Sequence, residues 1–126
     1  MSRLHLELAD GKTKYRPGET LEGVAFWDLP ELPRAIEVRL YWRTQGKGIS
    51  DVEVVQAVRF DRIAAQDRRP FRMTLPPSPY SVSGILVSIL WGVEIVAEPT
   101  VQGANVEIVL SPTGEEIRLE QVEKKK

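Results

Sequence analysis

Apolar and polar residues alternate with a period of two along most of this 126-residue chain. Because successive side chains of a β-strand point to opposite faces, such alternation predicts strands that bury one face. Seven segments show it, at residues 3–8, 20–29, 34–44, 51–64, 69–75, 84–98 and 105–110. Patterns with the 3.6-residue period of an amphipathic helix are scarce. The chain is therefore predicted to be all-β.

The segment at residues 51–64 breaks the alternation. One face of the predicted strand carries four apolar residues, Val52, Val54, Val58 and Phe60. Val55 and Ala57 are also apolar and fall on the opposite face. An extra residue in one strand of a pair produces such an interruption. The pattern predicts a bulge or a two-sided strand here.

Strands with one apolar face must bury that face against another layer. The pattern therefore predicts two antiparallel sheets packed face to face, in an immunoglobulin-like sandwich of about seven strands. A barrel is the main alternative. Residues 1–110 are predicted to form this single domain. Residues 111–126 are polar and rich in Glu and Lys, which predicts a charged C-terminal tail outside the core.

Charge is segregated along the chain, although the net charge is only −1. Residues 34–72 hold nine Lys or Arg against five Asp or Glu, so this middle third is +4 and the flanks sum to −5. Arg39 and Arg43 are predicted on one outward face of a strand, with Arg59 outward on the next. Their guanidinium groups could bind a phosphate or a carboxylate bidentately. The alternative is a solvated face with interspersed acids such as Glu37.

Trp27 is the fourth candidate binding residue. Trp42 and Trp91 share a face with their apolar neighbours, which predicts core positions for both. Trp27 and Phe26 are adjacent on one strand and point in opposite directions, so one of them should be exposed. The pattern does not decide which. An exposed Trp27 would favour the alternative function, a carbohydrate- or small-ligand-binding β-sandwich module.

The residues that catalysis or metal binding would need are missing or scattered. With no cysteine there is no disulfide and no thiolate site. His5, the only histidine, is expected on the wetted face of an edge strand, and no glycine-rich phosphate loop is present. We therefore expect no enzyme, no catalytic residues, no metal site and no cofactor. A slightly acidic chain without an aromatic stacking platform also argues against nucleic acid as a partner.

The sequence also indicates where the protein resides. No apolar run approaches the roughly 20 residues that a membrane-spanning helix needs. The N-terminus alternates apolar and polar residues, whereas a secretion signal is continuously apolar. With no cysteine framework, a cytoplasmic location is expected.

Two stretches are more specific than a generic β pattern. Residues 15–23 read Tyr-Arg-Pro-Gly-Glu-Thr-Leu-Glu-Gly; residues 75–84 read Leu-Pro-Pro-Ser-Pro-Tyr-Ser-Val-Ser-Gly and run into 89–95, Ile-Leu-Trp-Gly-Val-Glu-Ile. Together they resemble the arrestin-like N-terminal domain, in which such a turn leads into the second strand and such a loop precedes a long strand. The resemblance covers about residues 3–110 and is closest to short bacterial single-domain relatives. Residues 80–84 depart from the family's usual Ser-Tyr-x-Gly.

The resemblance implies the sandwich fold and very little about activity. Our leading hypothesis is a non-enzymatic binding or scaffold domain that acts through a sheet edge or through the face of Arg39, Arg43 and Arg59. The expected partner is a protein, acidic or phosphorylated in the case of the arginine face. Because edge strands offer unpaired backbone groups, a homodimer through sheet edges is a natural corollary.

Overall fold

The structure is a computed structural model that describes residues 3–46, 49–83, 87–98, 101–113 and 117–118. These residues form a 3-10 turn at Ala9–Gly11 and ten strands: β1 Arg3–Leu8, β2 Lys14–Tyr15, β3 Thr20–Asp28, β4 Ala35–Gly46, β5 Ile49–Arg59, β6 Gln66–Thr74, β7 Val82–Ser83, β8 Val87–Glu98, β9 Val101–Leu110 and β10 Ile117–Arg118. The seven longer strands correspond to the seven predicted segments. None of the helices found in this part of the chain is long and apolar enough to cross a membrane.

The strands form two sheets. The smaller sheet is antiparallel, in the order β1-β3-β6. In the larger sheet β4 lies between β5 and β8, while β7 and β9 both pair with β8. Two short pairs at its periphery, β2 with β9 and β10 with β7, are parallel. The predicted all-β, two-sheet sandwich is confirmed, with a larger sheet that is mixed rather than purely antiparallel.

The core fills the space between the inner faces of the two sheets. Its largest fully buried side chains come from strands of both sheets and from the segments that join them: Trp27, Trp91, Tyr15, Leu21, Ile36, Leu40, Leu75, Ile95, Ile108, Leu110, Val38 and Val93. Trp91 is a core residue, as predicted, and Trp42 is half-buried and packs against the core. The alternating pattern of the long strands thus gives each sheet one apolar face to bury.

The two stretches that carry the arrestin-like resemblance meet in space. The Gly18 amide donates a hydrogen bond to the Leu75 carbonyl (3.1 Å), and the Leu75 amide donates to the Glu19 carbonyl (2.9 Å). The turn itself is closed by the Glu19 carboxylate, which accepts hydrogen bonds from the Arg16 amide and from Lys12 Nζ, both at 2.6 Å. Gly18 adopts a φ of 82°, which glycine reaches without steric cost. This junction holds the end of β6 beside the start of β3.

The loop that precedes β8 forms a second junction, with the end of β9. The Ser81 amide donates to the Leu110 carbonyl (2.7 Å) and Ser81 Oγ accepts from the Leu110 amide (2.9 Å). The Ser111 amide donates to the Tyr15 carbonyl, and Ser111 is buried. Further on, β10 runs beside β7. The predicted domain boundary at residue 110 stays a prediction, and residues 114–116 and 119–126 of the predicted tail lie outside the described residues.

Candidate functional site

The three candidate arginines lie on the outer face of the larger sheet, the face turned away from the smaller sheet. Arg39 and Arg43 are two alternations apart on β4, so their α-carbons are separated by roughly 13 Å. Arg59 on β5 lies directly opposite Glu37 of β4. Tyr41, which is buried, lies between Arg39 and Arg43 on the same face. The arrangement brings the three residues to one surface and does not make them converge on one point.

Carboxylates compensate much of the charge on this face. Glu37 contacts two of the arginines, with Oε2 at 3.1 Å from Arg39 Nε and Oε1 at 3.5 Å from Arg59 Nη1. Arg59 also lies 3.9 Å from a Glu98 oxygen. Arg39 is in register with Glu94 of β8. The mixed face that the sequence left as an alternative is therefore the arrangement that the structure describes.

Tyr41 is held against the sheet by a glycine on the neighbouring strand. Tyr41 and Gly92 are cross-strand partners, and a β-carbon built on Gly92 would lie 2.5 Å from the tyrosine hydroxyl oxygen. The ring therefore occupies the space that any other residue at position 92 would fill, and its hydroxyl accepts a hydrogen bond from Asn105 Nδ2 (3.5 Å). Burial raises the pKa of Tyr41 above its ordinary value, with Glu94 and Glu107 acting in the same direction. Tyr41 thus fills a structural position on this face.

The edge strand β5 carries a bulge at Val55. Leu40 pairs with Gln56 and Tyr41 pairs with Val54, so Val55 is the extra residue and the predicted bulge is confirmed. One extra residue inverts the side chains that follow it. The expectation that Val52, Val54 and Val58 share a face is therefore wrong, because Val52 and Val54 face outward with Arg43 and Tyr41.

Residues 51–55 of β5 are exposed on both faces of the strand. Val52, Val54 and Val55 are 62%, 45% and 38% exposed, and Asp51 and Glu53 between them are exposed as well. Within the described residues, β5 pairs only with β4, so its other backbone edge faces no strand. Neither Asp51 nor Glu53 has an ion-pair partner in the described part of the chain. We call residues 49–55 the valine edge.

Strand β6 also ends a sheet, and among the described strands it pairs only with β3. It lies on the same side of the sandwich as β5, since Gln56 Nε2 of β5 donates to the Thr74 carbonyl of β6 (2.5 Å). Its exposed residues are of a different kind. Pro70, which has no amide hydrogen, stands in the middle of the strand between exposed Arg68 and Arg72. Proline and charged side chains are the residues with which edge strands avoid pairing.

Trp27 lies in the core, which decides the question that the sequence left open. It is 0% exposed, whereas Phe26 is half-buried. Its indole Nε1 donates to the Ala64 carbonyl (2.8 Å), and its ring stacks on Phe60 with centroids 5.6 Å apart. Trp27 therefore has no surface with which to contact a ligand, and its place among the candidate binding residues is corrected. The carbohydrate- or small-ligand-binding alternative loses the aromatic on which it depended.

Among the described residues, the remaining titratable side chains form no cluster that could hold a metal ion. His5 is exposed on the outer face of the smaller sheet, with Nε2 3.7 Å from Glu7 Oε1. A groove is lined by Val24 and Pro70 of the smaller sheet, by Val58 of β5 and by Glu22, whose carboxylate accepts a hydrogen bond from Arg72 Nη2 (2.8 Å). In the described residues no group of three or more His, Cys, Asp or Glu is placed to hold a metal ion.

The residues that sequence reasoning missed are Val52, Val54 and Val55 as an exposed set, with Asp51 and Glu53 between them. Part of this arrangement can be read from the sequence, because the disrupted alternation predicts a bulge or a two-sided strand in this segment. Its place at the end of the sheet was not readable from the pattern, since strand order depends on long-range pairing. Without that order, an apolar run in a strand is assigned to the core.

Comparison with known proteins supports the fold. No protein-family model matches the chain, and a search of curated proteins finds no significant match. Among solved structures, the sporulation control protein Spo0M from Bacillus subtilis is similar, with a TM-score of 0.61 and 18% identity over 87% of this chain and 49% of Spo0M. The alkylpurine DNA glycosylase AlkC from Pseudomonas fluorescens, bound to DNA containing an abasic site analog, has a TM-score of 0.45 and 12% identity over 87% of this chain and 30% of AlkC.

This chain spans about half the length of Spo0M. At 18% identity the likeness shows the fold alone, which agrees with the two-sheet sandwich that the alternating pattern predicted. The score for AlkC is too low to carry an argument.

Proposed function

We propose that this chain is a non-enzymatic, arrestin-like binding or scaffold domain that engages a protein partner by strand addition at the valine edge. The observation that carries the proposal is the exposure of Val52, Val54 and Val55 beside a backbone edge that no described strand covers. An edge of this kind offers main-chain donors and acceptors to an extended segment, and its side chains select that segment. An exposed apolar edge carries a risk of aggregation, and a binding role would account for the presence of such an edge in this chain.

The arrestin-like fold fits a regulatory role rather than a catalytic one. Spo0M is a sporulation control protein. A regulatory role for this chain would act through binding, for which the valine edge provides a surface. We also propose that the protein acts in the cytoplasm of a bacterial cell. Because sandwiches host many functions, the proposal depends on the valine edge and not on the fold.

The test replaces the apolar edge without changing its charge or its β-branching. The variant Val52→Thr/Val54→Thr/Val55→Thr keeps the strand propensity of the segment and removes its apolar contacts. We expect recovery of a bound protein from native lysate to fall at least about tenfold, the loss that corresponds to about 1.4 kcal/mol of contact energy. Leu32→Thr is the matched control, because Leu32 is 65% exposed and lies off the edge.

A partner recovered equally by both variants would contradict the proposal. The second readout is amide hydrogen exchange, in which the complex should protect residues 49–55 and leave β6 unchanged. The pair Arg39→Glu and Arg43→Glu tests the arginine face in the same assay. If recovery falls with this pair and not with the valine variant, the binding site is the arginine face.

A further inference from the structure

We infer that the partner segment of the valine edge is basic and extended, with Lys or Arg alternating with β-branched residues. This inference rests on the proposed function and names the chemistry of the partner. It starts from the two side-chain rows of β5. Val52 and Val54 face outward, and Asp51 and Glu53 face the other way, all of them exposed.

An added strand meets these two rows separately, because its own side chains alternate with the same period. Residues of the partner that lie opposite Asp51 and Glu53 contact carboxylates without an ion-pair partner among the described residues. Opposite charges in directly paired positions stabilise a sheet, and like charges destabilise it. The intervening partner residues lie opposite Val52 and Val54, where β-branched side chains pack best. Alternation of basic and β-branched residues satisfies both rows at once.

A second copy of this chain fits the edge poorly. The bulge at Val55 limits regular pairing to residues 49–54, and a two-fold antiparallel pair repeats each contact. A pair centred on Val52 places Asp51 of each copy opposite Glu53 of the other. A pair centred on Asp51 or on Glu53 places that carboxylate opposite itself. Each of these registers sets like charges against each other, whereas a basic segment meets opposite charges in all of them.

The experiment measures three peptide probes by NMR titration of the labelled full chain. One probe alternates lysine with valine over eight residues, and the second alternates glutamate with valine. The third has the composition of the first with its lysines and valines in two blocks, which controls for charge without alternation. We expect the alternating lysine probe to shift the amides of residues 49–54 and to bind about tenfold more tightly than either of the others.

Charge reversal provides the matched variant. Asp51→Lys/Glu53→Lys should exchange the preference, so that the alternating glutamate probe binds more tightly than the lysine probe. If that variant does not fold, Asp51→Asn/Glu53→Gln should abolish the preference with minimal change in shape. Raising the salt concentration should weaken the binding of the alternating lysine probe to the wild-type protein, since salt screens exposed charge pairs.

Three results would overturn the inference. Equal binding of the lysine and glutamate probes at residues 49–54 would reject a basic partner while leaving the valine edge as a strand-addition site. Equal binding of the alternating and blocked lysine probes would reject the paired geometry. A doubling of the mass in light scattering that the valine-to-threonine variant abolishes would identify a second copy as the occupant. Failure of the proposed function itself is read separately, from the capture experiment.

Discussion

Two strand edges of this sandwich, those of β5 and β6, lie on the same side of the molecule and are built from opposite kinds of residue. The edge of β5 presents Val52, Val54 and Val55 at exposures of 38% or more, with no proline in the strand. The edge of β6 presents Pro70 between two exposed arginines. One edge is open to an added strand and the other resists it. The chain thus protects the edge of β6 against pairing with another strand and leaves the edge of β5 open to it.

The two edges also differ in how firmly the rest of the fold holds them. The end of β6 is fixed by the Pro-Gly-Glu turn, through the hydrogen bonds of Gly18 and Glu19 with Leu75. Residues 51–55 of β5 are exposed on both faces, and among the described strands β5 pairs with β4 alone. The protected edge belongs to a strand whose end is held by backbone hydrogen bonds, and the open edge to a strand that pairs with one described neighbour. A binding surface that adapts to an incoming segment is expected to be of the second kind.

The largest expected effect comes from breaking the connection between the two edges. Trp27 stacks on Phe60 just after β5 and donates to the Ala64 carbonyl just before β6. Trp27→Ala should lower the free energy of unfolding by about 3–5 kcal/mol, since it removes a fully buried indole and leaves the Ala64 carbonyl without its donor. Urea unfolding followed by circular dichroism measures the change. Leu32→Ala serves as the control and should stay within about 0.5 kcal/mol of the wild type. A loss of less than about 1 kcal/mol for Trp27→Ala would contradict the core position.

A smaller effect is expected from removing the protection of β6. Pro70→Val supplies the missing amide hydrogen and a β-branched side chain, which makes the edge of β6 resemble that of β5. Self-association should become about tenfold tighter than in the wild type, which is about 1.4 kcal/mol and is of the order of one added hydrogen bond. Sedimentation at a series of protein concentrations measures it. Pro70→Lys restores a charged edge residue and should behave as the wild type does; an unchanged mass distribution for Pro70→Val would show that the flanking arginines protect the edge by themselves.

The smallest effect concerns the turn that anchors β6. Hydrogen bonds from Lys12 Nζ and the Arg16 amide hold the pKa of the Glu19 carboxyl below its ordinary value of 4.5. A carboxyl with a lowered folded-state pKa stabilises the fold above its unfolded-state pKa, and this contribution is lost as the pH falls through the folded-state value. Glu19→Gln should therefore be less stable than the wild type at neutral pH. The difference should shrink as the pH falls below 4.5. Thermal unfolding of both proteins between pH 7 and about pH 3 tests this, and a difference that does not change with pH would mean that the carboxylate charge has no role in the turn.

Sequence alone predicts the sandwich because each long strand carries its own pattern. The alternation at β4, with Ile36, Val38 and Leu40 inward, needs no knowledge of the partner strands. The turn at residues 16–19 is equally local, since Arg16 and Glu19 bond to each other. The bulge was predicted for the same reason. Features that depend on one strand are readable from that strand.

The candidate site was harder to predict because it depends on pairing between distant segments. The charge of Glu37 compensates that of Arg59 only because the register of β4 and β5 places these two residues opposite each other. Trp27 and Phe26 have similar local patterns, and the burial of Trp27 follows from Phe60 and Ala64, which are more than thirty residues away. The valines of β5 read as core residues until the strand order places them at an edge. Charge and hydrophobicity describe what a face contains, and topology determines which faces remain open.

The position of Trp42 gives the protein an internal optical reporter. Trp27 and Trp91 are sealed in the core, whereas Trp42 is half-buried on β4 and is the cross-strand partner of Glu53. Its fluorescence is therefore sensitive to the polarity around the valine edge, while the other two indoles respond to global unfolding. Occupation of the edge and loss of the fold should consequently give distinguishable emission changes in the unlabelled protein. Trp42, read against the two core tryptophans, thus provides a spectroscopic assay for the strand beside it.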